Sequence, residues 1–146
     1  MQDRIRIDQL EPSSYQPMVG LENYLGQTEI EPSLKELIKL KASIINKCAY
    51  CIQMHTAQAR QQGETEQRLY AIPAWQESPL FTEVERAVLK LTEEVTQISI
   101  EGVNDETYDK CIALLGENKV AQCIMQIVTI NAWNRIALST KLYHEA

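Results

Sequence analysis

Apolar residues along most of this chain recur at three- and four-residue intervals, the spacing that lines one face of an α-helix. The clearest run is Val84, Ala87, Val88, Leu91, Val95 and Ile98, preceded by the capping-box start Phe81-Thr82-Glu83-Val84-Glu85. Upstream, Met18, Leu21, Tyr24 and Leu25 predict a helix over 14–26, with Pro17 in its first turn. Pro32 punctuates, and Ser33-Leu34-Lys35-Glu36 reads as another capping box. Leu34, Leu37, Ile38, Ile44 and Ile45 extend a stripe from it, broken in polarity by Lys41. No Gly or Pro falls within 33–62, so this stretch is one long helix or two helices meeting near Asn46. Asn46 would N-cap the second, placing Cys48 in its first turn, and Gly63 would close it.

A weaker helix with Leu69, Ile72 and Trp75 follows over 65–77, interrupted at Pro73. A turn containing Gly102 spans 99–104. A helix over 105–115 points Tyr108, Ile112 and Leu115 inward, and Gly116 ends it. The last helix, 118–142, is apolar on most sides from 120 to 133, which predicts a central position. No strand pattern, Gly-rich phosphate loop or short-period repeat appears. The expectation is an all-α, single-domain helical bundle of about six to seven helices over 14–146. Ahead of it, Ile5 and Ile7 alternate in a polar stretch, which reads as an extended arm over 1–13.

A chain of 146 residues suits one domain and can bury a core without metal or disulfide support. The net charge of -6 argues against nucleic acid and anionic membrane as partners, since both need a basic footprint. The first eight residues hold no apolar signal-peptide core. The most apolar stretch, 120–130, contains Gln122 and Gln126 and is too short to span a bilayer. A reducing cytoplasm is the expected setting. There, a Cys-x-x-Cys is catalytic or metal-binding more often than structural.

That motif is present as Cys48-Ala49-Tyr50-Cys51, with His55 four residues on. On a helix the three lie at i, i+3 and i+7, so one stripe carries two thiols and an imidazole. The bland alternative is two small core cysteines beside a surface histidine. Cys51 and His55, at i and i+4, have Cβ atoms roughly 5–6 Å apart. Cys48 lies about 10.5 Å from His55 along the axis. His55 therefore reaches Cys51 and not Cys48, which assigns Cys51 as the attacking thiolate and Cys48 as its resolving partner. A helix dipole acting on the first cysteine argues the other way, with a smaller effect.

Glu36 enters if the chain reverses near Asn46. It lies about ten residues before the turn and His55 about nine after, nearly level at about 1.5 Å per residue. A carboxylate there would orient the imidazole. Its competing role is N3 of the Ser33 capping box, and a continuous helix would put Glu36 about 18 Å from Cys48.

Zinc is the rival use of the cysteines. The motif supplies three ligands, whereas structural zinc takes four, and Cys111, Cys123 and His144 stand singly. Thioredoxin-like chemistry shares the Cys-x-x-Cys but needs βαβ segments, which are lacking. Cys111 and Cys123 read as inert core thiols, His144 as a solvated side chain, and Trp75 and Trp133 as packing or interface anchors. Asn131, Asn134 and Arg135 interrupt an apolar helix, either to satisfy buried polar groups or to meet another subunit.

Glu36, Cys48-x-x-Cys51-x-x-x-His55 and an all-helical tail resemble the alkylhydroperoxidase D-like (AhpD-like) branch of the carboxymuconolactone decarboxylase family. So does the wider text around Lys41-Ala42-Ser43-Ile44-Ile45-Asn46-Lys47, Trp75, Phe81-Thr82 and Ile130-Asn131-Ala132-Trp133-Asn134-Arg135. The resemblance runs from about Tyr15 onward. It implies an active-site helical hairpin, a homotrimer or homohexamer, and peroxidase or disulfide-reductase chemistry on organic hydroperoxides; no bound cofactor or metal is expected. Electrons would come from a thiol or a lipoylated carrier protein. Cys51 resembles the peroxidatic cysteine, Cys48 the resolving one, and His55 with Glu36 the proton relay. Tyr50 stands where the family's characterised peroxidase has a histidine. Tyrosine does not titrate near neutral pH, so a full relay and a high peroxidase rate are not implied. The expected function is a thiol-dependent peroxidase or disulfide oxidoreductase. The alternatives are a non-enzymatic thiol redox sensor and a zinc-binding interaction module.

Overall fold

A computed structural model describes residues 4–144. Among them the chain forms α1 (Ile7–Leu10), α2 (Pro12–Leu25), α3 (Pro32–Ile45), α4 (Ala49–Gln61) and α5 (Glu66–Ala71), then a 3-10 helix (Ile72–Glu77). After these come α6 (Glu83–Thr96), α7 (Ile98–Glu101), α8 (Asp105–Leu115) and α9 (Glu117–Thr140). The described residues contain no strand, and the fold is the expected all-α bundle. Its helices outnumber the six or seven expected because the four-residue α1 and α7 are too short to carry a periodic signal.

Helix α3 packs on α4, α6 and α9, and α9 also receives α2, α6 and α8. Leu37, Ile38, Val88, Leu91 and Ile127 meet in this centre, almost wholly buried. The cleanest sequence stripe, in α6, begins with a formed capping box. Thr82 Oγ1 accepts the Glu85 N–H at 3.2 Å, and Glu85 Oε2 accepts the Thr82 N–H at 2.8 Å.

Several local expectations change. Arg4 to Arg6 are irregular, α1 is helical from Ile7, and α2 already starts at Pro12, so the proposed arm over 1–13 is largely helical; residues 1–3 lie outside the described residues. Pro12 occupies the start of α2 and Pro17 lies inside it rather than in its first turn. Helix α3 starts at Pro32, with Glu31 as N-cap and no side-chain cap. Proline is pre-organised for the first helical position, so the start falls before Ser33 and no Ser33–Glu36 capping box forms. Glu36 is thereby released for another partner. The turn expected over 99–104 narrows, because Ile98–Glu101 is helical and Gly102 takes φ 71°.

The stretch 33–62 is two helices, reversed between Asn46 and Cys48. Asn46 closes α3 as its C-cap instead of opening α4. Lys47 takes the left-handed conformation, φ 59°. Its N–H bonds Ile44 O at 3.1 Å and the Cys48 N–H bonds Ser43 O at 2.9 Å. This pairing is a Schellman motif, with lysine where glycine is usual. Cys48 then N-caps α4, its Sγ accepting the Cys51 N–H at 3.3 Å.

The Asn46 amide spans to α9, donating to Asn131 Oδ1 and Asn134 Oδ1 at 2.9 Å each. Asn134 Nδ2 donates to Ser43 Oγ at 3.1 Å, and Asn131 Nδ2 to Thr96 Oγ1 at 3.0 Å. The asparagines that interrupt α9 therefore satisfy buried polar groups and fix the hairpin tip against α9 and α6. Lys41, the polar break in the α3 stripe, is buried 3.0 Å from Glu93 Oε1. That oxygen also accepts Trp75 Nε1–H at 2.8 Å.

Candidate active site

The hairpin tip delivers the two cysteines. Cys48 and Cys51 are joined in a disulfide, with Cα atoms 5.3 Å apart. They are 1% and 2% exposed and pack with Ala137 of α9 beneath Tyr50 and Leu142. A second Schellman motif places Leu142. Lys141 takes φ 52°, and the Leu142 N–H returns to Ala137 O at 2.9 Å.

His55, one turn along α4, is buried. Its Nδ1 lies 3.0 Å from Gln58 Oε1 and 3.4 Å from Glu36 Oε2. The nearer contact is a hydrogen bond; Glu36 Oε2 makes only the ion-pair contact. Glu36 Oε1 accepts from Lys39 Nζ at 2.9 Å. Burial alone would push the Glu36 carboxyl up. The neighbouring His55 ring and Lys39 ammonium outweigh it and hold the carboxyl below its ordinary value. Glu36 is therefore an anion at neutral pH.

The hairpin thus brings Glu36 to His55. Among the described residues the ring contacts Gln58 and Glu36, with no hydrogen bond to Cys51, whose sulfur is committed to Cys48. Gln58 and Lys39 escaped the sequence reading. Each stands three residues after a site residue, His55 and Glu36, and that helical spacing was the available signal.

A cavity of about 440 Å³ opens beside this group, a size typical of small-molecule sites. Cys51, His55, Lys39 and Gln58 line it, whereas Cys48 does not. Trp133 also lines it, its Nε1–H donating to Glu22 Oε1 at 2.9 Å. The Tyr15 ring meets Trp133 edge-on at 5.5 Å.

The remaining candidates are elsewhere. Cys111 and Cys123 are fully buried, and burial pushes their thiols up to about 11 and about 12. His144 is exposed beyond α9. No group of three or more His, Cys, Asp or Glu among the described residues is arranged to hold a metal ion.

Residues 12–94 match the carboxymuconolactone decarboxylase family. The chain belongs to this family. The uncharacterised protein YdfG of Bacillus subtilis (strain 168) is 37% identical over 139 residues, 95% of each chain. A crystal structure from Agrobacterium tumefaciens has 35% identity and a TM-score of 0.95, covering 99% of both chains. That protein is of unknown function, described as a candidate AhpD antioxidant defence protein. The debrominase Bmp8 shares the fold at 21% identity, TM-score 0.84, over 94% of this chain and 74% of Bmp8. The chain is therefore an AhpD-like member of the family. No helix among the described residues is long and apolar enough to cross a membrane.

Proposed function

We propose that the protein is a thiol-dependent peroxidase or disulfide oxidoreductase acting on organic hydroperoxides, in the cytoplasm and as a homotrimer or homohexamer. The observation that carries the reading is that Cys51 lines the cavity together with His55, which is backed by an ionised Glu36. A nucleophile has to touch its substrate, and Cys48 does not line that space.

In this cycle the Cys51 thiolate attacks a peroxide oxygen and the O–O bond breaks. The alcohol leaves with a proton supplied through His55, and Cys51 is left as a sulfenic acid. The Cys48 thiol attacks that sulfur, water departs, and the Cys48–Cys51 disulfide forms. A dithiol, free or as the lipoyl group of a carrier protein, reduces the disulfide and is itself oxidised. Glu36 stabilises His55 while it carries the proton, and Lys39 keeps Glu36 charged. Tyr50 replaces a second titrating group beside Cys51, so turnover is expected to be modest.

The test is steady-state consumption of tert-butyl hydroperoxide with dihydrolipoamide. Wild type turns over, Cys51→Ser does not, and Cys48→Ser accumulates a sulfenic acid at Cys51 that dimedone traps. Equal slow consumption by wild type and Cys51→Ser would end the enzymatic reading. One disulfide formed per chain without turnover would make the protein a redox sensor instead.

A further inference from the structure

His55 makes both of its polar contacts through one nitrogen. Its Nδ1 lies 3.0 Å from Gln58 Oε1, a hydrogen bond, and 3.4 Å from Glu36 Oε2, which makes no hydrogen bond. A neutral imidazole holds one hydrogen, on either Nδ1 or Nε2, and the bond made by one nitrogen fixes the state of the other. A carboxylate accepts and cannot donate, so the Glu36 anion favours a hydrogen on Nδ1. Gln58 presents its carbonyl oxygen there, a second acceptor. Both neighbours therefore place the ring hydrogen on Nδ1 and leave Nε2 with a free lone pair.

That second nitrogen has no hydrogen-bond partner among the described residues. Nor does it belong with Glu36 Oε2 among the side-chain atoms sealed from solvent without one. It therefore keeps access to the cavity, which His55 lines together with Cys51, one turn away on α4. Gln58 suits the task by position and by charge. It follows His55 by three residues, so the helix presents both on one face. Its amide fixes the ring hydrogen without adding to the negative charge of Glu36, which would favour a ring protonated on both nitrogens. The two acceptors divide the work. Gln58 orients the ring, and Glu36, held by Lys39 at 2.9 Å, supplies charge when the ring carries a proton.

We infer that Gln58 is a positioning residue that locks His55 in its Nδ1–H form, so that Nε2 takes the proton of the Cys51 thiol. The inference deepens the proposed function and rests on it for one point, that Cys51 is the nucleophile. In this step the S–H bond breaks, Cys51 becomes the thiolate and the ring becomes the imidazolium, still bonded through Nδ1 to Gln58. The same proton then passes from Nε2 to the departing alkoxide.

The test is the nitrogen-15 spectrum of the oxidised, full chain at mildly alkaline pH, where an ordinary histidine is neutral. The chain has two histidines, and His144→Gln identifies the signals of His55. Wild type is expected to carry a hydrogen on Nδ1 and none on Nε2. Gln58→Met is expected to lose that preference, and Gln58→Glu, which keeps an acceptor at the same place, to retain the hydrogen on Nδ1. Gln58 is exposed, so these changes leave the core intact. In the reduced chain, Cys51 labelling by iodoacetamide is resolved from Cys48 by tandem mass spectrometry. It is expected to slow about tenfold in Gln58→Met, the worth of one hydrogen bond. A persisting Nδ1–H form in Gln58→Met would make Glu36 sufficient and overturn the inference. So would unchanged labelling of Cys51 when that form is lost. A wild type with the hydrogen on Nε2 overturns it too, with no variant and no turnover involved. Absent peroxide turnover beside the expected spectra and labelling would end the peroxidase reading and uphold the positioning role.

Discussion

Glu36→Gln keeps the side chain's shape and removes its charge. The residue is 4% exposed, 2.9 Å from Lys39 and 3.4 Å from His55. Unit charges about 4 Å apart attract by about 4 kcal/mol at an effective dielectric constant near 20. Two effects reduce the loss. The amide no longer suffers the carboxylate's desolvation, and Lys39, 16% exposed at its side chain, can turn toward water. The net cost to stability is expected to be about 2–3 kcal/mol, at or below the low end for a broken buried pair.

The pH dependence follows from the lowered Glu36 pKa. A depressed carboxyl contributes stability that is present above the unfolded value, about 4.3, and is lost as pH falls through the folded value. Urea unfolding from about pH 6 down to about pH 3 should therefore show a steeper loss for wild type than for Glu36→Gln. Turnover is the second readout. Positioned proton transfer contributes about a hundredfold to ten-thousandfold, so loss of the group that holds His55 should lower kcat at least tenfold. KM for tert-butyl hydroperoxide should change little, because Glu36 does not line the cavity. Stability within about 0.5 kcal/mol of wild type, the range of an ordinary surface substitution, together with an unchanged kcat, would refute the reasoning.

Three further outcomes are expected. Reducing Cys48–Cys51 opens a loop with a sequence separation of only three, so chain entropy limits the effect to about 2 kcal/mol; urea unfolding with and without dithiothreitol checks this, and unfolding on reduction alone would contradict it. The raised thiols of Cys111 and Cys123 contribute stability that is full below the unfolded value, about 8.5, and is lost as pH rises from there toward about 11 and about 12. In the native reduced chain, Ellman's reagent should accordingly spare those two, while Cys51, which lines the cavity, reacts. Lys47→Gly should stabilise the chain by about 1 kcal/mol, since lysine is strained at φ 59° where glycine is not; a lower thermal midpoint would show that the Lys47 side chain holds the hairpin in some other way.

Much of the architecture was legible from local pattern. The α6 stripe from Val84 to Val95 and its Thr82 cap follow from spacing and hydrogen-bond chemistry within a few residues and appear as read, whereas the helix ends at Thr96 and Ile98, read as the last member of the stripe, is exposed. Gly63 also closes α4 as expected, at φ 94°. Asn46 was legible only in part. Its place marked the reversal, but whether it opened α4 or closed α3 depended on partners more than eighty residues away, Asn131 and Asn134. Glu36 looked equally suited to capping and to catalysis, and a single proline at the start of α3 removed the first role.

The sequence by itself determined most of the helices and the chemistry-bearing trio Cys48, Cys51 and His55, because spacings of three and four residues keep an N-cap and its first two turns together. Tertiary structure decided which groups act on that trio. The reversal at Lys47 set Glu36 against His55, and the packing of α9 opened a cavity that reaches Cys51 and not Cys48. Each of these depends on groups from separate helices meeting in space, and no periodicity along one chain encodes which faces will meet.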